Sequence, residues 1–432
     1  MRLWHTLLLL VLIAAPAAEG ATAKTIWLAP GKPSWKQKGT QENPFRVASA
    51  ADIQWKLDNL DRLDQLVPTA NFLPGVYIVE EAINVGTRIS IVGSGFSETI
   101  FRKSEKNKDA LGIFQNNNMG GGEQIEIRDL ALDCNRRTRL GIVLYGDNIT
   151  VRNVHVYNHV NVRDEYGTWL ESFAILLSNR VDSFLRHWAN TSGALVENCL
   201  VTDFHGHNGG GICIAGGEDP TVAVGIVRKC RVIGSKTPVI PSGQSDARWG
   251  VGATITEGCT TESVAIGSYV EGGIGRQLIR NNRFLNCESA GVMISLRVTT
   301  SVDAIEVRNN EISLGDGGYG ISAVNNGKLN GTLMNLIAEE NRITRRARKA
   351  SADWVNIFKV PNLTLKNNIY DATAIGRVRG SRGYIGENRS EDGLWVTKSD
   401  QLKAAKESTM NQLQAIKIVP ANEGAAEKKG AE

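Results

Sequence analysis

Two observations predict an all-β solenoid built from parallel coils. The first is a six-residue phrase (apolar, polar, an Asn-rich pair, any residue, apolar) that recurs along the second half of the chain. It reads Ile127-Arg-Asp-Leu-Ala-Leu132, Val151-Arg-Asn-Val-His-Val156, Val196-Glu-Asn-Cys-Leu-Val201 and Val227-Arg-Lys-Cys-Arg-Val232, then Ile279-Arg-Asn-Asn-Arg-Phe284, Val307-Arg-Asn-Asn-Glu-Ile312, Ala338-Glu-Glu-Asn-Arg-Ile343 and Leu365-Lys-Asn-Asn-Ile-Tyr370. Self-similarity at this period marks stacked repeats. The starts are 24, 45, 31, 52, 28, 31 and 27 residues apart, so most steps fit one coil and two are expected to carry long insertions. The second observation is that apolar runs between Gly, Asn and Asp are of strand length, too brief for helices and too regular for unrelated loops.

The second copy shows how one coil is built. Gly141-Ile-Val-Leu-Tyr145 is one strand, Gly146-Asp147 a turn, Asn148-Ile-Thr-Val-Arg152 a second strand, and Val154-His-Val156 a third after a tight Asn bend. Stacking such coils pairs each strand with its copy roughly 4.7–4.9 Å away, and the inward side chains form one apolar column. The fourth position of the phrase holds Leu130, Val154, Cys199 and Cys230, then Asn282, Asn310, Asn341 and Asn368. An amide tolerates burial in a bend when it bonds to its copies above and below, so the last four predict an Asn ladder.

The open ends of a solenoid need covers. Ser49 to Leu66, with Ile53, Leu57 and Leu60 at helical spacing, predicts an amphipathic helix over the first coil. Residues 1 to 23 read as a secretory signal: Arg2, the apolar run Leu7 to Ala15, then small residues before a cleavage site. Residues 24 to 397 are expected to form one β-helix domain, because a solenoid grows along its axis. Within 398 to 432, a short helix is predicted from Asp400 to Leu413, and a tail rich in Ala, Glu and Lys from Asn422 onward is expected to be disordered.

The repeat resembles the right-handed parallel β-helix of the pectate lyase superfamily. The likeness extends to the N-terminal third through Thr25-Ile-Trp-Leu-Ala-Pro-Gly31, Gly39-Thr-Gln-Glu-Asn-Pro-Phe45, and Leu73-Pro-Gly-Val-Tyr77 followed by Ile89-Ser-Ile-Val-Gly-Ser-Gly95. What it implies is an exported, secreted or periplasmic, carbohydrate-active protein with a groove on the β-helix; its motifs match no single subfamily. The expected partner is a polysaccharide or glycan bound by a monomer, with no nucleic acid and no stable membrane insertion.

Composition is compatible with this. The formal charge of +4 over 432 residues is nearly balanced, and no stretch after the leader is long and apolar enough to span a bilayer. The six Cys match no metal or redox spacing. Cys199 and Cys230 hold equivalent positions in successive coils, where side chains run side by side, so buried free thiols are expected instead of a disulfide.

Function is expected on loops held along one face. The longest connections are Tyr157 to Ser172, Thr202 to Gly210 and Ile233 to Trp249, and five of the six His lie between residues 155 and 207. Elimination on a uronate needs one group to neutralise the carboxylate and another to take the adjacent proton. Candidate catalytic residues are Asp203, His205, His207 and Arg248, and candidate substrate-binding residues are Arg163, Asp164, Glu165, Lys236, Trp169 and Trp249. The two Trp are platforms for sugar rings. Asp164, Glu165 and Asp203 can hold either substrate or Ca²⁺, the one cofactor expected. Hydrolysis instead needs paired carboxylates, for which Asp164 or Glu165 with Asp203 is the candidate pair. His205 and His207 with His155 or His159 form a weaker transition-metal candidate. The first expectation is a polysaccharide lyase; the alternatives are a glycoside hydrolase and a non-catalytic glycan-binding or structural β-helix.

Overall fold

A computed structural model describes residues 24–60, 67–106, 112–116, 122–160, 172–177, 193–204, 209–215, 225–234, 244–248, 254–270, 276–295, 302–315, 318–324, 333–345, 354–371, 376–379, 381 and 383–390. They form a parallel β-helix. One sheet of 24 strands folds over two faces of the stack, and an 11-stranded sheet closes the third. Successive strands of the latter run from Ile83–Asn84 to Gly376–Arg379, and neighbours pair in parallel, as in Ile142 with Ile175 and Ile175 with Ile212.

The bend between the first two faces explains the recurring phrase. Its third position is left-handed in coil after coil: Asp129, Asn153, Asn198, Lys229, Asn281, Asn309, Glu340 and Asn367 have φ between 51° and 59°. Asn and Asp tolerate that conformation better than most side chains, which accounts for their abundance there. The fourth position turns inward and is buried. From Asn282 each amide Nδ2 donates to the Oδ1 of the next Asn, at 3.0 Å to Asn310 and 2.9 Å for Asn310 to Asn341, Asn341 to Asn368 and Asn368 to Asn388. Each Nδ2 also donates to a backbone carbonyl one coil back, such as Ile279 O at 3.0 Å from Asn310. The expected ladder is present, with one further rung at Asn388.

The ladder locates a coil that the apolar criterion missed. Cys259 sits on the column between Cys230 and Asn282, and its backbone N–H donates to Asn282 Oδ1 at 2.9 Å. Its phrase, Thr256-Glu-Gly-Cys-Thr-Thr261, carries Thr where the others carry aliphatic residues. The 52-residue step therefore holds two coils, of 29 and 23 residues, and no long insertion.

Outward positions of the first face form a charge column, Arg152, Glu197, Arg228, Glu257 and Arg280 in register. Glu197 accepts from Arg228 Nε at 2.8 Å and forms an ion pair with Arg152, whose Nε lies 3.0 Å from its other oxygen. Burial alone would raise its pKa, but the two guanidiniums and Lys229 hold it below the usual carboxylate value.

The N-terminal cover is helix α1, Ala50–Asp58, with Ala50, Ile53 and Leu57 buried against the first coils. Ser49 caps it by accepting from Asp52 N–H at 3.1 Å. It ends at Asp58, where Asn59 takes the C-cap position, and residues 61–66 of the expected stretch lie outside the described residues. Under it, Phe72, Tyr77, Phe101 and Phe114 pack ring to ring at 4.9–5.3 Å. All six Cys are buried and none is in a disulfide. The leader expected at 1–23 and the helix and tail expected within 398–432 lie outside the described residues. No helix among the described residues is long and apolar enough to cross a membrane.

Candidate functional site

Strand alternation builds a polar patch on the outer side of the second face. In Thr150–Tyr157, Val154 and Val156 enter the core, so His155 and Tyr157 point outward together. Parallel pairing places Arg102 beside Asp133, Asp133 beside Tyr157 and Tyr157 beside Thr202 in consecutive coils. His155 pairs in register with Ala131 on one side and Leu200 on the other.

Asp133 organises this patch. Its Oδ2 accepts from Arg102 Nε at 2.8 Å, and its Oδ1 accepts from the Asn135 backbone at 2.9 Å and from Asn158 Nδ2 at 3.0 Å. The carboxylate is nearly buried while the Arg102 side chain is 43% exposed, so the guanidinium is anchored by Asp133, also hydrogen-bonds Tyr157 and stays in part open to solvent. Burial raises the Tyr157 phenol above its ordinary pKa of 10, the Asp133 charge adds to this, and the Arg102 guanidinium beside it opposes. At neutral pH the phenol is therefore a proton donor.

The His155 ring lies 4.8 Å from that of Tyr157 and meets Phe96 edge-on at 6.2 Å. Its Nε2 is 2.9 Å from Thr202 Oγ1. Burial lowers its pKa below 6.5, with Asp203 pulling the other way. A neutral imidazole, a protonated phenol and a guanidinium on one face can supply a base, an acid and an anion-neutralising group.

The residues anticipated from sequence meet this patch unevenly. Asp203 belongs to the strand Leu200–Phe204, where a register shift puts it in the left-handed conformation at φ 51°. Ser263 and Asn286 do the same in later coils, so its identity has a backbone reason besides its charge near His155. Arg248 ends the strand Gln244–Arg248 of the 11-stranded sheet, pairing with Ala215, and is not on an insertion loop; its side chain is outside the described set. The segment from 202 to 210 is mostly strand, with only 205–208 between its two strands undescribed. Arg163, Asp164, Glu165, Trp169, His205, His207, Lys236 and Trp249 lie outside the described residues. His159, named above as an alternative metal ligand, is buried and stacked on Phe204 at 5.0 Å. Among the described residues no group of three or more His, Cys, Asp or Glu is placed to hold a metal ion.

Arg102, Asp133 and Tyr157 were missed as site residues because they lie on strands. The signal that would have found them is the outward period of two, read across coils in register.

No protein-family model matches the chain, and no curated protein sequence matches it. Similarity to solved structures is found at the level of fold. A double mutant of the tailspike protein of E. coli bacteriophage HK620 superposes with a TM-score of 0.60 at 12% identity, over 81% of this chain and 65% of that one. A single mutant of that tailspike in complex with a pentasaccharide gives 0.57 at 12% identity, over 85% and 66%. This chain thus spans about two thirds of the tailspike's length, and at such identity the likeness establishes the right-handed parallel β-helix and nothing finer.

Proposed function

We propose that this protein is an exported carbohydrate-active enzyme that cleaves a uronate-containing polysaccharide by β-elimination on the face carrying Arg102, His155 and Tyr157. The observation that carries the reading is the placement of a neutral imidazole and a protonated phenol 4.8 Å apart, next to an anchored, half-exposed guanidinium. A tailspike of this fold holds a pentasaccharide, which supports a glycan as the ligand class.

In this reading Arg102 pairs with the uronate carboxylate and makes the proton on C5 more acidic. The neutral His155 imidazole takes that proton. Electrons from the C5–H bond form the C4=C5 double bond, the C4–O4 bond breaks, and Tyr157 protonates the departing glycosidic oxygen. Hydrolysis is served less well by the described residues. It needs one protonated carboxyl, whereas Asp133 is committed as an acceptor to three donors. Ca²⁺ bound through Asp203, Asp164 and Glu165 would assist Arg102 in neutralising the carboxylate.

The test is to incubate the mature protein with acidic and neutral polysaccharides, with and without Ca²⁺, while following unsaturated-uronate absorbance and reducing ends. Rising absorbance on an acidic polymer is the expected result. Reducing ends without absorbance would replace the lyase with a hydrolase, and silence in both channels alongside measurable binding would leave a glycan-binding protein.

A further inference from the structure

A cleft of about 560 Å³ opens at the N-terminal end of the stack between the first strand, the loop at 38–45 and helix α1. It shares no lining residue with the Arg102–Tyr157 face. Trp27, Phe45 and Trp55 supply its aromatic surface, and Lys24, Lys38 and Lys56 outnumber a single carboxylate, Glu42.

Three features make this more than a crevice. Trp55 is 59% exposed on a helix whose Ile53 and Leu57 already provide the buried contact, so packing does not account for it. Lys56 Nζ lies over the Phe45 ring at 3.6 Å and over Trp55 at 4.5 Å. An ammonium stripped of part of its water and held by rings is a ready counter-charge for an anion. The loop is also built in advance. Lys38 and Gly39 backbone N–H groups both donate to Asn43 O, at 3.2 and 2.9 Å, and Trp27 N–H donates to Gly39 O at 2.9 Å. Gly39 has φ +74°, and a side chain there would collide with the Phe45 ring.

We propose that this cleft is a second glycan site, binding a uronate unit of an acidic polysaccharide away from the cleaving face. Trp55 and Trp27 stack on the pyranose, and Lys38 and Lys56 meet its carboxylate. The substrate class rests on the function proposed above. A holding site of this kind raises the effective concentration of polymer at the catalytic face without taking part in cleavage.

The experiment is calorimetric titration of the intact mature protein with tetragalacturonate, and with maltotetraose as the uncharged control. The variants are Trp55→Ala, Lys56→Met and the double variant His155→Ala/Tyr157→Phe, each first checked for an unchanged melting curve. Wild type should show two sites for tetragalacturonate and none for maltotetraose. Trp55→Ala and Lys56→Met should each weaken one site on the order of tenfold. The His155/Tyr157 variant should keep that site while losing turnover. Normal binding in both cleft variants, with turnover lost only in the His155/Tyr157 variant, would sink the cleft and leave the enzyme standing. No uronate binding to any protein and no turnover would sink both, and equal binding of maltotetraose would remove the role of the lysines.

Discussion

His155 is distinguished from the other described His by its surroundings. His159 is sealed against Phe204, whereas His155 stands on an outer face beside a phenol and a guanidinium. His155→Ala is expected to lower kcat by about 10²–10⁴ and Tyr157→Phe by roughly 10², with KM changing little in the latter. A comparable loss in KM with kcat intact would assign the pair to binding. Because the base must be unprotonated and burial lowers the His155 pKa, the acid limb of kcat/KM should lie below pH 6.5. The same shift couples to folding. The folded-state pKa is depressed, so this contribution to stability is complete above about pH 6.5 and is lost as pH falls through the folded value, the unfolded chain taking the proton first. These residues were hard to read from sequence because site candidates were sought on loops. Their proximity depends on the register between coils, which no single stretch of sequence contains.

The ladder is the element-scale determinant, and it was legible because its spacing is periodic. Asn310 accepts from Asn282 and donates to Asn341 and Ile279 O, so Asn310→Leu leaves buried partners on both sides unpaired. The expected cost is roughly 1–3 kcal/mol in chemical denaturation, and an unchanged midpoint would falsify the ladder's structural role. Its upper rungs are thiols. Cys199, Cys230 and Cys259 Sγ each lie 3.6 Å from the carbonyl that an Asn Nδ2 would reach, on Val151, Val196 and Val227. Cys259→Asn should therefore be accommodated within about 1 kcal/mol, since the amide finds Val227 O and the existing rung at Asn282 is kept. A loss as large as that of Asn310→Leu would mean that volume, and not hydrogen bonding, governs the column. The coil around Cys259 escaped detection for the same reason: its Thr residues break the apolar rule while obeying the column.

At the scale of the whole molecule, the stack keeps five thiols in one continuous core and Cys213 in a separate buried cluster with Leu140, Val143, Phe173 and Leu176, although the chain reads as exported. Equivalent positions in successive coils place Cys199, Cys230 and Cys259 in a file with parallel side chains, a geometry that opposes disulfide formation. A thiol reagent should accordingly leave the native protein untouched and label six thiols after denaturation without reductant. Fewer than six would show that oxidation has rearranged the column. The protonation state gives a second, independent reading. Burial raises the Cys287 thiol to about 12 and pushes Cys134 and Cys230 well above their ordinary value, with neighbouring thiols adding to the effect at Cys230. Their folded pKa values exceed the unfolded ones, so the stability they contribute is fully present below about pH 8.5. It is lost progressively as pH rises toward the folded values, because the unfolded chain ionises first. The denaturation midpoint should consequently fall between pH 8 and pH 10.5. The fall should shrink in a variant with Cys134, Cys230 and Cys287 all replaced by Val, and an undiminished slope would place the alkaline sensitivity in other groups.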